Sequence, residues 1–121
     1  LAVIASTTTR LTDSGPGSEV VKVVWGPMAN GDTGAPVGLA GYSDRSVQVT
    51  GTFGAGGNCR IQGSNDGTNY ATLADPQGNA LDVTAAKIEA VLEIAAAIRP
   101  NITAGDGTTA ITVTMIARSP K

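Results

Sequence analysis

Apolar and polar residues alternate with a period of two along most of this chain. Residues 18–25, SEVVKVVW, form a β-branched run. Residues 45–53, RSVQVTGTF, put Val47, Val49 and then Phe53 on one face and Gln48 and Thr50 on the other. In residues 58–63, NCRIQG, Cys59 and Ile61 alternate with Arg60 and Gln62. In residues 109–117, TAITVTMIA, Ile111, Val113 and Met115 alternate with Thr112, Thr114 and Ile116. Successive side chains of a strand point to opposite faces, so each segment predicts a strand with one buried face. Residues 2–5, 69–73 and 80–83 are shorter candidates. Between the segments lie GAGGN, NDGTN, DPQGN and AGDGT, whose Gly, Asn and Asp enter turns at least cost. Many short strands with regular turn signals predict an all-β fold, a β-sandwich of jelly-roll-like type.

Three stretches depart from this rhythm. Residues 84–98, TAAKIEAVLEIAAAI, fit a helix capped by Thr84, with Ile88, Val91, Leu92 and Ala95 on one stripe. They also fit a strand with Ile88, Ala90, Leu92 and Ile94 inward and Glu89 and Glu93 outward. Alanine content favours the helix, but the neighbouring elements are strands, and the strand is the expectation adopted. Residues 6–17, STTTRLTDSGPG, are polar and punctuated, so residues 1–17 are expected to form an irregular N-terminal arm and residues 18–121 the sandwich domain. Residues 26–43, GPMANGDTGAPVGLAGYS, carry two prolines and five glycines and read as one long irregular loop. A loop of that length in a compact domain is usually functional.

At 121 residues the chain fits a single domain. Eight Lys and Arg against ten Asp and Glu give a net charge of −2, which is no electrostatic footprint for nucleic acid. Charged residues make up only 15% of the chain, so Gly, Ser, Thr and Asn must cover much of the surface. Such a surface suits protein contacts, since few ions are desolvated on docking. Aromatic residues are limited to Trp25, Tyr42, Phe53 and Tyr70, which leaves Val, Ile, Leu and Ala to build the core. The apolar run Leu1–Ala5 has no basic lead and is too short for a signal peptide or a membrane span.

The inventory for chemistry is thin. Histidine is absent, which removes the commonest metal ligand and general base. Cys59 is alone, so it forms no internal disulfide and reads as a small buried hydrophobe. The cluster Asn65-Asp66-Gly67 lacks the alternating oxygen ligands and late bidentate carboxylate of a calcium loop. It reads as a hairpin turn with Gly67 at positive φ. Gly105-Asp106-Gly107 and Asn30-Gly31 read the same way. The glycine run GTFGAGG, residues 51–57, lacks the Lys and hydroxyl ending of a phosphate-binding loop and reads as a tight turn. Glu89 and Glu93 on one extended strand would stand about 13 Å apart, too far for a glycosidase pair. Asn101-Ile102-Thr103 matches a glycosylation sequon, which matters only in a secretory pathway. No cofactor, no metal and no catalytic constellation are expected.

The block SVQVTGTFGAGGNCRIQGSNDGTNYATLADPQGNAL, followed by IRPNITAGDGTTAITVTMIA, resembles small structural proteins of tailed bacteriophages. That family repeats a GTFG-GG turn, a GSNDG hairpin followed by Trp or Tyr and Leu, and an IRP strand returning into GDG. The match covers residues of about 43–117, and VWGPMANGDTGAP upstream fits it as well. Tyr70 stands where tryptophan is frequent in the family. The resemblance implies a capsid decoration or cement protein on the virion surface. Its implied partners are the major capsid protein and further copies of itself, as dimer or trimer, with no role for nucleic acid or membrane. A tail or head–tail joining protein is the alternative, and a carbohydrate-binding module a more remote one that wants more aromatic platforms. The residues expected to meet a partner are Leu1, Val3 and Ile4 in the arm and Met28, Val37, Leu39 and Tyr42 in the long loop. The last four lack a regular period and are expected to lie outside the core.

Overall fold

The computed structural model describes residues 2–11 and 19–119. Eleven strands follow in chain order: β1 (Val3–Ile4), β2 (Ser6–Arg10), β3 (Glu19–Met28), β4 (Thr33–Gly34), β5 (Asp44–Thr52), β6 (Asn58–Ser64), β7 (Ala71–Thr72), β8 (Asp82–Val83), β9 (Lys87–Ala90), β10 (Ala97–Ala104) and β11 (Ala110–Ser119). They form two sheets. One has the order β1-β4-β10-β6-β7, with β8 also pairing β6; the other has the order β2-β3-β11-β5-β9. The first sheet is mixed, because β1 runs parallel to β4. The expected all-β sandwich is what forms.

Period two explains the packing. Val21, Val23 and Trp25 of β3, Val47 and Val49 of β5, and Ile111, Val113, Met115 and Ala117 of β11 are all buried. Across the gap they meet Cys59 and Ile61 of β6 and Ile98 and Ile102 of β10 in one core. In β5, β6 and β11 the buried residues Val47, Val49, Cys59, Ile61, Ile111, Val113 and Met115 are those that alternation places on one face.

The register also defines the outer face of the five-stranded sheet. Thr7, Val24, Thr114, Gln48 and Ile88 lie in one row across it. Thr9, Lys22, Ile116, Ser46 and Ala90 form the next. This face is mostly hydroxyl and aliphatic, with few charges.

Both sides of the sandwich are closed by segments that pass from one sheet to the other. On one side, residues 2–11 cross from β1 in the mixed sheet to β2 in its partner. The irregular arm expected over residues 1–17 is therefore built into both sheets across 2–11, while Leu1 and residues 12–17 lie outside the described residues. On the other side the chain leaves β9. The Val91 amide donates to the Arg45 carbonyl at 3.0 Å, and the next amide, of Leu92, donates to the Ala74 carbonyl at 2.8 Å.

Candidate functional site

The two ends of the sandwich differ in what their loops do. One end joins the turns around residues 29–32, 53–57 and 105–109. Asp106 organises it. One of its carboxylate oxygens accepts from the Ala55 amide at 2.8 Å, and the other accepts from the Thr108 amide and hydroxyl. The Ala55 amide leads these bonds in holding the Asp106 carboxyl down at about 2. The Asn30 side-chain amide donates to the Gly105 carbonyl at 3.3 Å, tying the first turn to the third.

The opposite end gathers residues 38–43, 64–70 and 91–96. The Asn-Asp-Gly cluster lies here, and it is a closed turn. Asp66 Oδ1 accepts from the Ser64 hydroxyl and from the Thr68 and Asn69 amides, each at 2.8 Å. Asp66 Oδ2 accepts from the Asn69 side chain. These donors, Asn69 first, hold the carboxyl well below its usual range. Gly67 has φ of 78°, the left-handed conformation that glycine enters without steric cost. Both carboxylate oxygens are spent on the turn itself. Among the described residues no group of three or more His, Cys, Asp or Glu is placed to hold a metal ion. Tyr70, just past the turn, lies under the Arg99 guanidinium of β10 at 3.8 Å and fastens the hairpin to the sheet face.

Arg45 holds the rest of this end together. It sits at an inward position of β5, two residues before Val47, and is 5% exposed. One terminal nitrogen donates to the Tyr42 carbonyl at 2.7 Å, and the other donates to the Glu93 carbonyl. Its Nε has no hydrogen-bond partner among the described residues. Burial favours the neutral form and lowers the guanidinium's pKa. The side chain thus staples residues 38–43 to residues 91–96. Sequence reading missed this residue. Its signal was parity, since 45, 47 and 49 share a face and only the last two are apolar.

The segment 91–96 is pinned from both sides. The Glu93 carboxylate accepts from the Ala74 amide at 2.8 Å, and the Asn65 side-chain oxygen accepts from the Ala96 amide at 3.0 Å. Gly63 of β6 permits its close approach, because a Cβ there would stand 2.8 Å from both Ala95 Cβ and a Leu73 methyl. Val91 and Ala95 point inward. Ile88, Leu92 and Ile94 point out, at 62%, 54% and 57% exposure. Ile94 edges an open depression of about 220 Å³ lined also by Ser64, Asn65 and Glu93.

This corrects the expectation for residues 84–98. The strand spans only Lys87–Ala90, and its faces are the reverse of those expected. Ile88 lies opposite Gln48 on the outer face, and Glu89 lies opposite Val47. Because β9 is the edge strand, the core places no demand on its apolar residues, and the usual rule of apolar inside fails there.

The partner residues expected in the long loop also need correction. Met28 is 1% and Leu39 is 2% exposed, both within the core. The reason for Met28 is a bulge. Val113 pairs with Trp25 but Ile111 pairs with Met28, so β3 carries one extra residue at Gly26–Pro27 and the alternation shifts to bring Met28 back inside. Leu39 is carried inward because Val37 bridges Ile98, with paired backbone bonds of 3.0 and 2.9 Å. Val37, Tyr42 and, in the arm, Ile4 are partly buried against the same core. Burial, with Glu19 nearby, raises the Tyr42 phenol's pKa. Val3 alone of the described set stands free, at 71% exposure.

Cys59 is fully buried, and burial pushes its thiol up to about 12, so it is held as a protonated hydrophobe.

No family model matches the chain, and no curated protein does either. Among solved structures it is similar to Peruvianin-I, a cysteine peptidase from the latex of Thevetia peruviana, at 12% identity and a TM-score of 0.43. The match covers 95% of this chain and 61% of that one. A likeness this distant conveys nothing about chemistry.

Proposed function

We propose that this chain is a structural virion protein of a tailed bacteriophage that decorates the capsid and bridges neighbouring major capsid subunits. It works as a rigid spacer and not as an enzyme. The motifs of residues 43–117 supply the virion. The observation that carries the docking role is the exposure of Ile88, Leu92 and Ile94. These are three of the four large hydrophobic side chains that stand exposed among the described residues, and all three fall within one seven-residue stretch. That stretch is held by Arg45, which donates to the Glu93 carbonyl, and by the Glu93 carboxylate, which accepts from the Ala74 amide, while the Asn65 side chain accepts from Ala96 just beyond it. Apolar side chains presented on a preorganised stretch lose little conformational entropy on docking. The adjoining sheet face, with its hydroxyl and aliphatic rows, adds contact area without a large desolvation cost. Many copies on one shell give avidity, so each contact is allowed to be weak.

The test is binding of purified protein to capsids stripped of it. Leu92→Asp and Ile94→Asp together should leave the melting temperature within a few degrees and lower occupancy at least tenfold. Unchanged occupancy removes these side chains from the interface. Binding to tails in preference to capsids would favour the tail or head–tail joining reading.

A further inference from the structure

We propose that residues 2–11 are an exchangeable arm, which one copy of this chain receives from a second copy in place of its own.

The arm completes both sheets on one side of the sandwich. β2 covers the edge of β3 over five register pairs, from Ser6 opposite Trp25 to Arg10 opposite Val21. β1 covers β4 at Val3 opposite Thr33 and Ile4 opposite Gly34. Without the arm, two unpaired edges stand open, and open edges recruit strands. A receptor for the arm therefore exists in every copy.

Among the described residues, the hydrogen bonds that the arm makes to the β4 side run through its backbone. The Thr33 amide donates to the Ala2 carbonyl at 2.9 Å and the Ala35 amide to the Ile4 carbonyl at 2.8 Å. The Ala2 amide donates to Asp32 Oδ1 at 3.0 Å. Asp32 is already fixed without the arm, since its Oδ2 accepts from the Ala29 amide at 2.8 Å. Four of the five β2 residues are exposed, and Ile4 is the single arm side chain packed against the core. By contrast Val23 and Trp25 of the adjacent strand are fully buried. An arm held this way takes one core-packed side chain, Ile4, with it when it leaves, and an identical arm from another copy satisfies the same edges with the same bonds.

The connection has the length to allow it. Among the described residues the β2–β3 pair ends with the Leu11 amide donating to the Val20 carbonyl at 2.8 Å. Seven residues, 12–18, join Leu11 to Glu19, where a tight hairpin needs only about two to five. Seven residues reach at most about 23–25 Å when fully extended. Because closed and exchanged forms make equal contacts, the balance follows local concentration. The intramolecular arm competes at an effective concentration in the millimolar range. Dilute protein keeps its own arm, and copies crowded side by side share arms.

The test uses Thr7 and Val24, which face each other on the outer side of the sheet. Chains carrying only Thr7→Cys and chains carrying only Val24→Cys are unfolded together, refolded as a mixture and oxidised. Exchange yields a covalent heterodimer joined between positions 7 and 24, in excess over either homodimer and rising with protein concentration. The double variant, refolded dilute, should close the same bond within one chain. Thr9→Cys with Lys22→Cys reads the same register one pair along and serves if the first geometry does not oxidise. Closure within the double variant, with no 7–24 or 9–22 link between chains at any soluble concentration, overturns the proposal. Neither result depends on a capsid.

Discussion

Truncating Leu39 to alanine tests whether residues 38–42 belong to the core of this chain or to a surface offered to a partner. Leu39 is 2% exposed and belongs to the main apolar cluster. Leu→Ala at such a site costs about 2–5 kcal/mol, from lost transfer free energy and the cavity left behind. We take about 3 kcal/mol, because Tyr42 and Arg45 restrain the segment and limit its collapse into the space. Unfolding entropy of about 2.1 cal/mol/K per residue over 121 residues gives about 0.25 kcal/mol/K. The expected drop in melting temperature is therefore about 12 °C. The matched control is Leu92→Ala at 54% exposure, which should cost under about 0.5 kcal/mol, or about 2 °C. Calorimetry or far-ultraviolet circular dichroism melts measure both. Equal shifts, or a Leu39→Ala shift as small as the control, would refute the placement of this segment over the core.

Calcium and a chelator should each leave the melting temperature of the wild-type protein unchanged, because both Asp66 oxygens are already occupied by the turn. Gly67→Val should lower stability by about 1–2 kcal/mol in urea denaturation, since a β-branched residue resists positive φ. Asp66 and Asp106 have folded-state values below the ordinary 3.8. Their contribution is present at neutral pH and is lost as pH falls below 3.8, for Asp106 down through about 2. Stability followed by denaturant titration should decline over that window, and Asp106→Asn should flatten the decline.

The long strands were legible because each has one buried face. In β5, β6 and β11 apolar residues recur at every second position, and these inward apolar residues follow directly from the sequence. Legibility ended where parity broke. The extra residue at Gly26–Pro27 turns Met28 inward, and a period-two reading that stops at Trp25 has no way to register it. At β9 the apolar residues obey no burial rule, since an edge strand takes its register from backbone pairing with β5. Tertiary context likewise settled residues 84–98 against their helical propensity, because the chain there must cross from one sheet to the other. The turn motifs read correctly at Asp66 and Gly67, whose chemistry is local. Arg45 was missed because its partners, the Tyr42 and Glu93 carbonyls, belong to separate segments.

The most direct measurement of the central claim, the proposal that this chain decorates a phage capsid, is the position of the protein on intact virions. Gold-labelled antibody or a difference map between virions with and without the chain reads this outright. The account predicts density on the outer capsid surface, at sites shared by neighbouring capsid subunits, with Ile88, Leu92 and Ile94 facing the shell. Density confined to the tail, or virions that lack the protein altogether, would contradict it.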